Sequence, residues 1–107
     1  MTILSEELRR AYEATDQILA SRPDDEFVVI YKDHDGLYLY VMEWDDEHNV
    51  LVSGVSELEH ASVFDFCDAL DVKTKLEAEF DEVIVMLPRD APTSLVYQRV
   101  VDGGVDQ

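Results

Sequence analysis

Between Lys32 and Lys73 the chain has no lysine or arginine, and this interval most constrains what the chain can fold into. It holds eleven acidic residues: Asp33, Asp35, Glu43, Asp45, Asp46, Glu47, Glu57, Glu59, Asp65, Asp68 and Asp71. The full 107 residues carry 25 Asp and Glu against 8 Lys and Arg, a formal net charge of −17. Because 47% of the residues are hydrophobic, the composition predicts a folded domain with a strongly negative surface.

This charge excludes several classes of partner. Binding to DNA, RNA or anionic lipid depends on Lys and Arg, so we expect no direct contact with nucleic acid or a membrane. The longest apolar runs, at residues 27–31 and 37–42, are too short to cross a bilayer. The first residues do not resemble a signal peptide, and Cys67 is the only cysteine, so no intrachain disulfide forms. These features predict a cytoplasmic protein.

The hydrophobic periodicity predicts a single α+β domain over residues 1–101 and a flexible tail over residues 102–107. The N-terminal element is a helix over about residues 5–21, where apolar residues recur every three or four positions behind a capping Ser5. We expect helices to pack on a mostly antiparallel sheet, since each element must bury its apolar face.

A three-stranded antiparallel meander is predicted after the helix. The segments at residues 27–31, 37–44 and 50–52 are rich in β-branched and aromatic residues, and polar turns separate them. In the second strand, Tyr38, Tyr40, Met42 and Trp44 share one face. If helices cover both faces of the sheet, these residues are core. If one face is open, they form an aromatic patch of the kind found at protein-binding hot spots or in a homodimer.

The second half of the chain predicts one or two central helices, then a further strand. Ser62 has the spacing of a capping box, and Asp71 has the character of a second cap. The predicted apolar face of the first helix comprises Val63, Phe66, Cys67 and Leu70. Residues 82–87 predict the strand, which Pro88 ends. Residues 94–101 predict a C-terminal strand or helix, and the β-branched residues there favour a strand.

No pattern in the chain indicates catalysis, so we expect a protein that is not an enzyme and uses no cofactor. The turn at residues 33–36 differs from a calcium loop because a strand follows it directly. The turn at residues 45–48 predicts weak cation binding and no specific metal site. Ser62 beside His60 is interpreted as a helix cap, and Cys67 as a buried thiol.

We therefore expect a small acidic interaction protein that binds and blocks, or regulates, a basic nucleic-acid-binding site on a partner protein. In small size and lack of catalytic groups the chain is similar to anti-restriction, anti-CRISPR and nuclease-neutralising immunity proteins, which imitate nucleic acid. The predicted negative partner-binding residues are Asp45, Asp46, Glu47, Glu57, Glu59, Asp65 and Asp68. The predicted apolar anchors are Tyr40 and Trp44.

An alternative hypothesis is a halophilic cytoplasmic regulatory or sensory domain that forms a homodimer through its sheet and whose acidity is an adaptation to salt. The chain has 3 Lys against 5 Arg and 14 Asp against 11 Glu, as is typical of proteins from salt-rich cytoplasm. At molar salt the Debye length falls to about 3 Å, which weakens the repulsion between like charges.

Overall fold

The computed structural model describes residues 6–21 and 24–95. Its helices and strands are α1 (Glu6–Ser21), β1 (Val28–Lys32), β2 (Tyr38–Asp45), β3 (Val50–Val55), α2 (Phe66–Glu77) and β4 (Val83–Met86). Short 3-10 turns lie at Leu58–His60 and Pro88–Asp90. The predicted α+β fold is confirmed, including the N-terminal helix, the meander and the later strand. Three predictions fall outside the described residues. They are the Ser5 cap, the flexible tail, and all but the first two residues of the predicted element at 94–101.

The four strands form one antiparallel sheet in the order β3-β2-β1-β4, with an apolar cluster on each face. Alternate residues of β1 point to opposite faces, so Val29 lies in the first cluster and Ile30 in the second. Helix α2 covers the first cluster with Ala69, Val72 and Leu76. The second cluster is closed by residues that follow β3 and β4: Leu58, Ala61, Ala91 and Leu95.

Helix α1 lies along β4, the strand at one edge of the sheet. Ala11 belongs to the second cluster and Leu19 to the first, so α1 contacts the cores on both faces. Thr15 is buried between them, and its hydroxyl donates to the Ala11 carbonyl at 2.8 Å. The same oxygen accepts from the Val85 amide at 3.1 Å, which satisfies an outward N–H of β4. Helix α1 therefore closes this edge.

The pairing of β2 with β3 is irregular, and this decides where the aromatic residues of β2 lie. Val41 opposes Gly54 and Trp44 opposes Leu51, with register shifts between them. Such a bulge changes which face the following side chains occupy. Tyr38 and Tyr40 lie in the second cluster, whereas Trp44 packs against the first. The core interpretation of Tyr38 and Tyr40 is confirmed.

The predicted start of the central helix is wrong, and of its predicted apolar face only Phe66 packs against the first cluster, whereas Val63, Cys67 and Leu70 are exposed. Helix α2 begins at Phe66 with Asp65 as its N-cap, and it continues through Asp71 as one helix. The Ser62 hydroxyl donates instead to the Met42 carbonyl of β2, so Ser62 ties the chain to the sheet. The buried residues of α2 are Ala69, Val72 and Leu76, on the side of the helix that packs on the sheet. Cys67 is exposed, not buried.

Candidate acidic binding surface

Four aspartates from separate parts of the chain lie at one end of the molecule. They are Asp46 in the β2–β3 turn, Asp65 and Asp68 at the start of α2, and Asp71, which lies in the next turn of α2 and pairs with Lys75 at 3.3 Å. We call these four aspartates the acidic cluster. The charge of Asp65 raises the pKa of Asp68 above its usual value, as do partial desolvation and the charges of Asp46 and Asp71. A raised pKa for a carboxylic acid shows that its charged form is disfavoured in the folded chain.

Backbone hydrogen bonds bring the start of α2 to this end. The Ser62 amide donates to the Val41 carbonyl at 3.0 Å, and Phe27 and Phe64 exchange two bonds of 2.7 Å. These contacts lead the chain along the sheet toward the end of β2. The Asp65 carboxylate then accepts from the Asp68 amide at 2.8 Å and caps the helix. The positive end of the helix dipole partly offsets the repulsion between these aspartates.

The β2–β3 turn is held by its first residue. The Asp45 carboxylate accepts from the amides of Glu47 at 2.9 Å and His48 at 3.2 Å, and it lies 2.8 Å from His48 Nδ1. The hydrogen bond with the His48 ring is the main cause that lowers the pKa of Asp45. Asn49 adopts the left-handed conformation with φ of 55°, which completes the turn. Asp45 is therefore a structural residue of the turn, and Asp46 and Glu47 are exposed beside it.

Asp45, Glu47 and His48 each place a possible ligand atom within 4.8 Å of the others. Two of them are already bonded to each other, and the turn geometry accounts for the arrangement. The absence of a specific metal site stays a prediction.

The remaining predicted acids lie at the opposite end of β3. Glu57 accepts from the Ser56 hydroxyl at 2.6 Å, and Glu59 is exposed in the following turn. Six residues of β3 separate them from the β2–β3 turn, about 20 Å in an extended strand. The predicted acidic residues thus form two groups, one at each end of β3.

Neither predicted apolar anchor is fully exposed beside the acids: Tyr40 is buried and Trp44 is half-buried. Tyr40 is 0% exposed, and its hydroxyl donates to the Pro92 carbonyl. Its assignment as an exposed anchor is wrong, because residues 91–95 cover this face of the sheet. Trp44 is half-buried against the first cluster, on the other face.

Sequence reasoning missed the apolar residues that are exposed near these acids. Val50 and Val52 of β3 are 49% and 56% exposed, and Leu70 of α2 is 42% exposed. The sequence did contain a sign that β3 exposes apolar residues. Residues 50–56 contain no charged residue, in a chain that is 31% charged. The exposure of Leu70 depends on which face of α2 packs on the sheet, and a tertiary contact of this kind has no local signal in the sequence.

The fold and this surface define a small α+β domain with acids at both ends of an edge strand. No helix among residues 6–21 and 24–95 is long and apolar enough to cross a lipid bilayer. Comparison with protein-family models, curated proteins and solved structures finds no match to this chain.

Proposed function

We propose that this protein is a non-enzymatic interaction protein whose acidic surface binds a basic site on a partner protein. The partner handles nucleic acid, and binding blocks or regulates that site. The observation that carries this proposal is the interval between Lys32 and Lys73, in which eight of the eleven acids are exposed and no Lys or Arg occurs. The acidic cluster lies within this interval, and there the neighbours of Asp68 disfavour its negative charge. A cationic partner would relieve this repulsion, so the cluster favours association with a basic surface.

The rigidity of the surface supports the same function. The Asp45 hydrogen bonds hold the turn that carries Asp46, and the Asp65 cap holds the start of α2. Acids carried on backbone that is already fixed require less ordering of the backbone on binding than acids on mobile loops. A duplex also presents its negative charges in a fixed array, and a basic groove that fits one can accept the other.

The test is displacement of nucleic acid. A fluorescein-labelled DNA duplex is bound to each of a panel of basic DNA-binding proteins, and the full chain is added at increasing concentration. We expect the wild-type chain to release the duplex from at least one panel member, with an association rate that falls as KCl is raised. The double variant Asp46→Asn and Asp68→Asn should associate about tenfold more slowly, because it lacks two charges of the acidic cluster.

The matched control is the double variant Asp35→Asn and Asp81→Asn. It loses the same charge at the opposite end of β2, where both aspartates are exposed. It should associate at a rate close to that of the wild type. No displacement from any panel member, or an equal loss in both double variants, would contradict a function that resides in the acidic cluster.

The acidic cluster also favours a second candidate, a halophilic regulatory or sensory domain, because concentrated salt screens the repulsion around Asp68. Both faces of the sheet are covered within residues 6–21 and 24–95, so a homodimer of this domain would form through an edge. Circular dichroism melting in roughly 0.1 M and about 3 M KCl separates the two candidates. Folding only at the higher concentration supports salt adaptation, and a cooperative melt at the lower one supports a partner-binding role.

A further inference from the structure

We propose that the outer edge of β3, which has no strand partner within residues 6–21 and 24–95, binds an extended segment of the partner as an additional strand. That segment has Lys or Arg residues at both ends. This inference rests on the proposed function and specifies how the basic partner is held. It is the recognition mode in which main-chain hydrogen bonds supply affinity and flanking side chains supply specificity.

The two edges of the sheet differ in how they are protected. Helix α1 covers β4, and the Thr15 hydroxyl accepts from the Val85 amide there. Among the described residues β3 pairs only with β2, and within residues 6–21 and 24–95 the N–H and C=O groups on its other side have no strand partner. An edge of this kind is a template for another strand.

The residues of β3 favour pairing. Charged residues and proline are two of the features that protect natural edge strands from association. Residues 50–56 have neither, and the β-branched side chains of Val50 and Val52 are about half exposed. Such residues pack well against a neighbouring strand.

Charge indicates which strand fits. The exposed Asp46 and Glu47 lie before β3, and Glu57 and Glu59 lie after it, about 20 Å away. A segment of about six uncharged residues with basic residues at each end would therefore place cations beside acids at both ends. A second copy of the chain fits poorly, because antiparallel pairing of two β3 edges would place the acidic turn of each copy beside Glu57 of the other.

The chain itself approaches this edge only past the end of β3. The Leu58 amide donates to the Thr93 carbonyl at 2.9 Å, and the Leu95 amide donates to the Ser56 carbonyl at 2.8 Å. These two bonds lie beyond Val55, and within residues 6–21 and 24–95 no such bond reaches β3. Pairing of β3 with the chain beyond Leu95 is one outcome of the test below.

The test is a titration of the ¹⁵N-labelled full chain, at a KCl concentration where it is folded, with three synthetic decapeptides. The first has alternating Val and Thr in the centre and Lys-Arg at both ends. The second has the same ends but N-methylated amides at alternate central positions, which prevents pairing. The third has Glu-Asp at both ends. We expect the first peptide to slow hydrogen exchange of the β3 amides that face away from β2, and to bind at least about tenfold more tightly than either control.

A protein variant gives an independent arm. Val52→Lys places a cation on the edge and should weaken binding of the first peptide about fivefold or more. Tyr12→Lys makes the same charge change at an exposed position of α1, beside the other edge, and should leave that affinity close to wild type. Circular dichroism spectra of both variants, compared with that of the wild type, test whether they fold.

Each other outcome overturns a defined part of the argument. If the first two peptides bind equally well, strand pairing is overturned, while the proposal that the acidic surface binds a basic partner is retained. Equal binding of the first and third peptides contradicts the proposed function itself. Outward β3 amides that are protected in the free chain at every protein concentration would show that the chain covers its own edge. Protection that rises with protein concentration would show that a second copy does.

Discussion

Gly54→Ala should destabilise the fold, because the Tyr31 side chain occupies the space where a Cβ of residue 54 would lie. Tyr31 belongs to β1, the strand that flanks β2 on the side away from β3. Gly54 of β3 lies opposite Val41 of β2, and the phenol of Tyr31 extends from β1 to this position. A Cβ at residue 54 would overlap the Tyr31 hydroxyl, and it would lie 2.9 Å from Tyr31 Cζ and 3.2 Å from Leu39 Cβ. Tyr31 is buried, and its ring centroid lies 4.9 Å from that of Phe80. The ring therefore has little freedom to move away.

Two effects of opposite sign set the magnitude. Alanine restricts the unfolded chain more than glycine does, which stabilises the fold by about 0.4–1 kcal/mol where the backbone is compatible. Overpacking in a well-packed core costs about 1–3 kcal/mol. The overlap with Tyr31 is well inside van der Waals contact, so the second effect dominates. We expect a net loss of about 1–2 kcal/mol in the free energy of unfolding.

The assay is urea denaturation at a fixed KCl concentration, followed by far-ultraviolet circular dichroism. The loss should appear as a lower midpoint with an unchanged slope. In a Tyr31→Phe background the same substitution should cost less, because the hydroxyl that overlaps most is gone. The coupling between the two sites should be at least about 0.5 kcal/mol, the range found for residues in contact.

Ser53→Ala is the matched control on the neighbouring residue. The Ser53 hydroxyl is buried and has no hydrogen-bond partner among residues 6–21 and 24–95, so its removal should not lower stability. If Gly54→Ala is as stable as the wild type, or costs the same with and without the Tyr31 hydroxyl, the packing argument is refuted.

Three further predictions concern single contacts. Asp65→Ala removes the N-cap of α2 and should lower stability by about 1 kcal/mol, read from the urea midpoint. Thr15→Val leaves the β4 amide without its acceptor and should cost about 1–3 kcal/mol, whereas Thr74→Val, which removes an exposed hydroxyl bonded four residues back in α2, should cost much less. Burial and the neighbouring Glu82 carboxylate raise the pKa of Tyr38 above its usual value of 10.0. The unfolded chain therefore loses this proton first, so stability should fall as the pH rises above about 10, and the fall should be smaller in Tyr38→Phe. Thermal melts between pH 8 and 11 measure this difference, and an equal fall in both chains would contradict it.

Local patterns were sufficient for the elements that each carry a complete signal. The spacing of apolar residues in α1 and the alternation of β-branched segments with polar turns predicted a helix and a meander, and the structure has both. The strand at β4 was equally clear, because Val83–Met86 is a short apolar run that Pro88 ends. In each case the residues that determine the element are neighbours in the chain.

The start of α2 was mispredicted because Ser62 has the spacing of a capping box, whereas the helix is capped three residues later by Asp65. Ser62 and Asp65 both precede apolar residues at helical spacing. The choice was made by β2, which provides the Val41 and Met42 carbonyls that bond Ser62 and hold it in extended backbone. A cap signal of about 1 kcal/mol is easily outweighed by such tertiary bonds.

The sequence by itself determined that the chain is strongly acidic, that the acids concentrate between Lys32 and Lys73, and that the fold is α+β. Charge and periodicity are properties of the chain that no packing arrangement removes. Only the tertiary structure decided that Tyr40 is core and that the predicted acids divide between the two ends of β3. It also decided that α1 covers one sheet edge while β3 is left at the other. These outcomes depend on which surfaces meet, and contacts between residues distant in sequence are not specified by any local pattern.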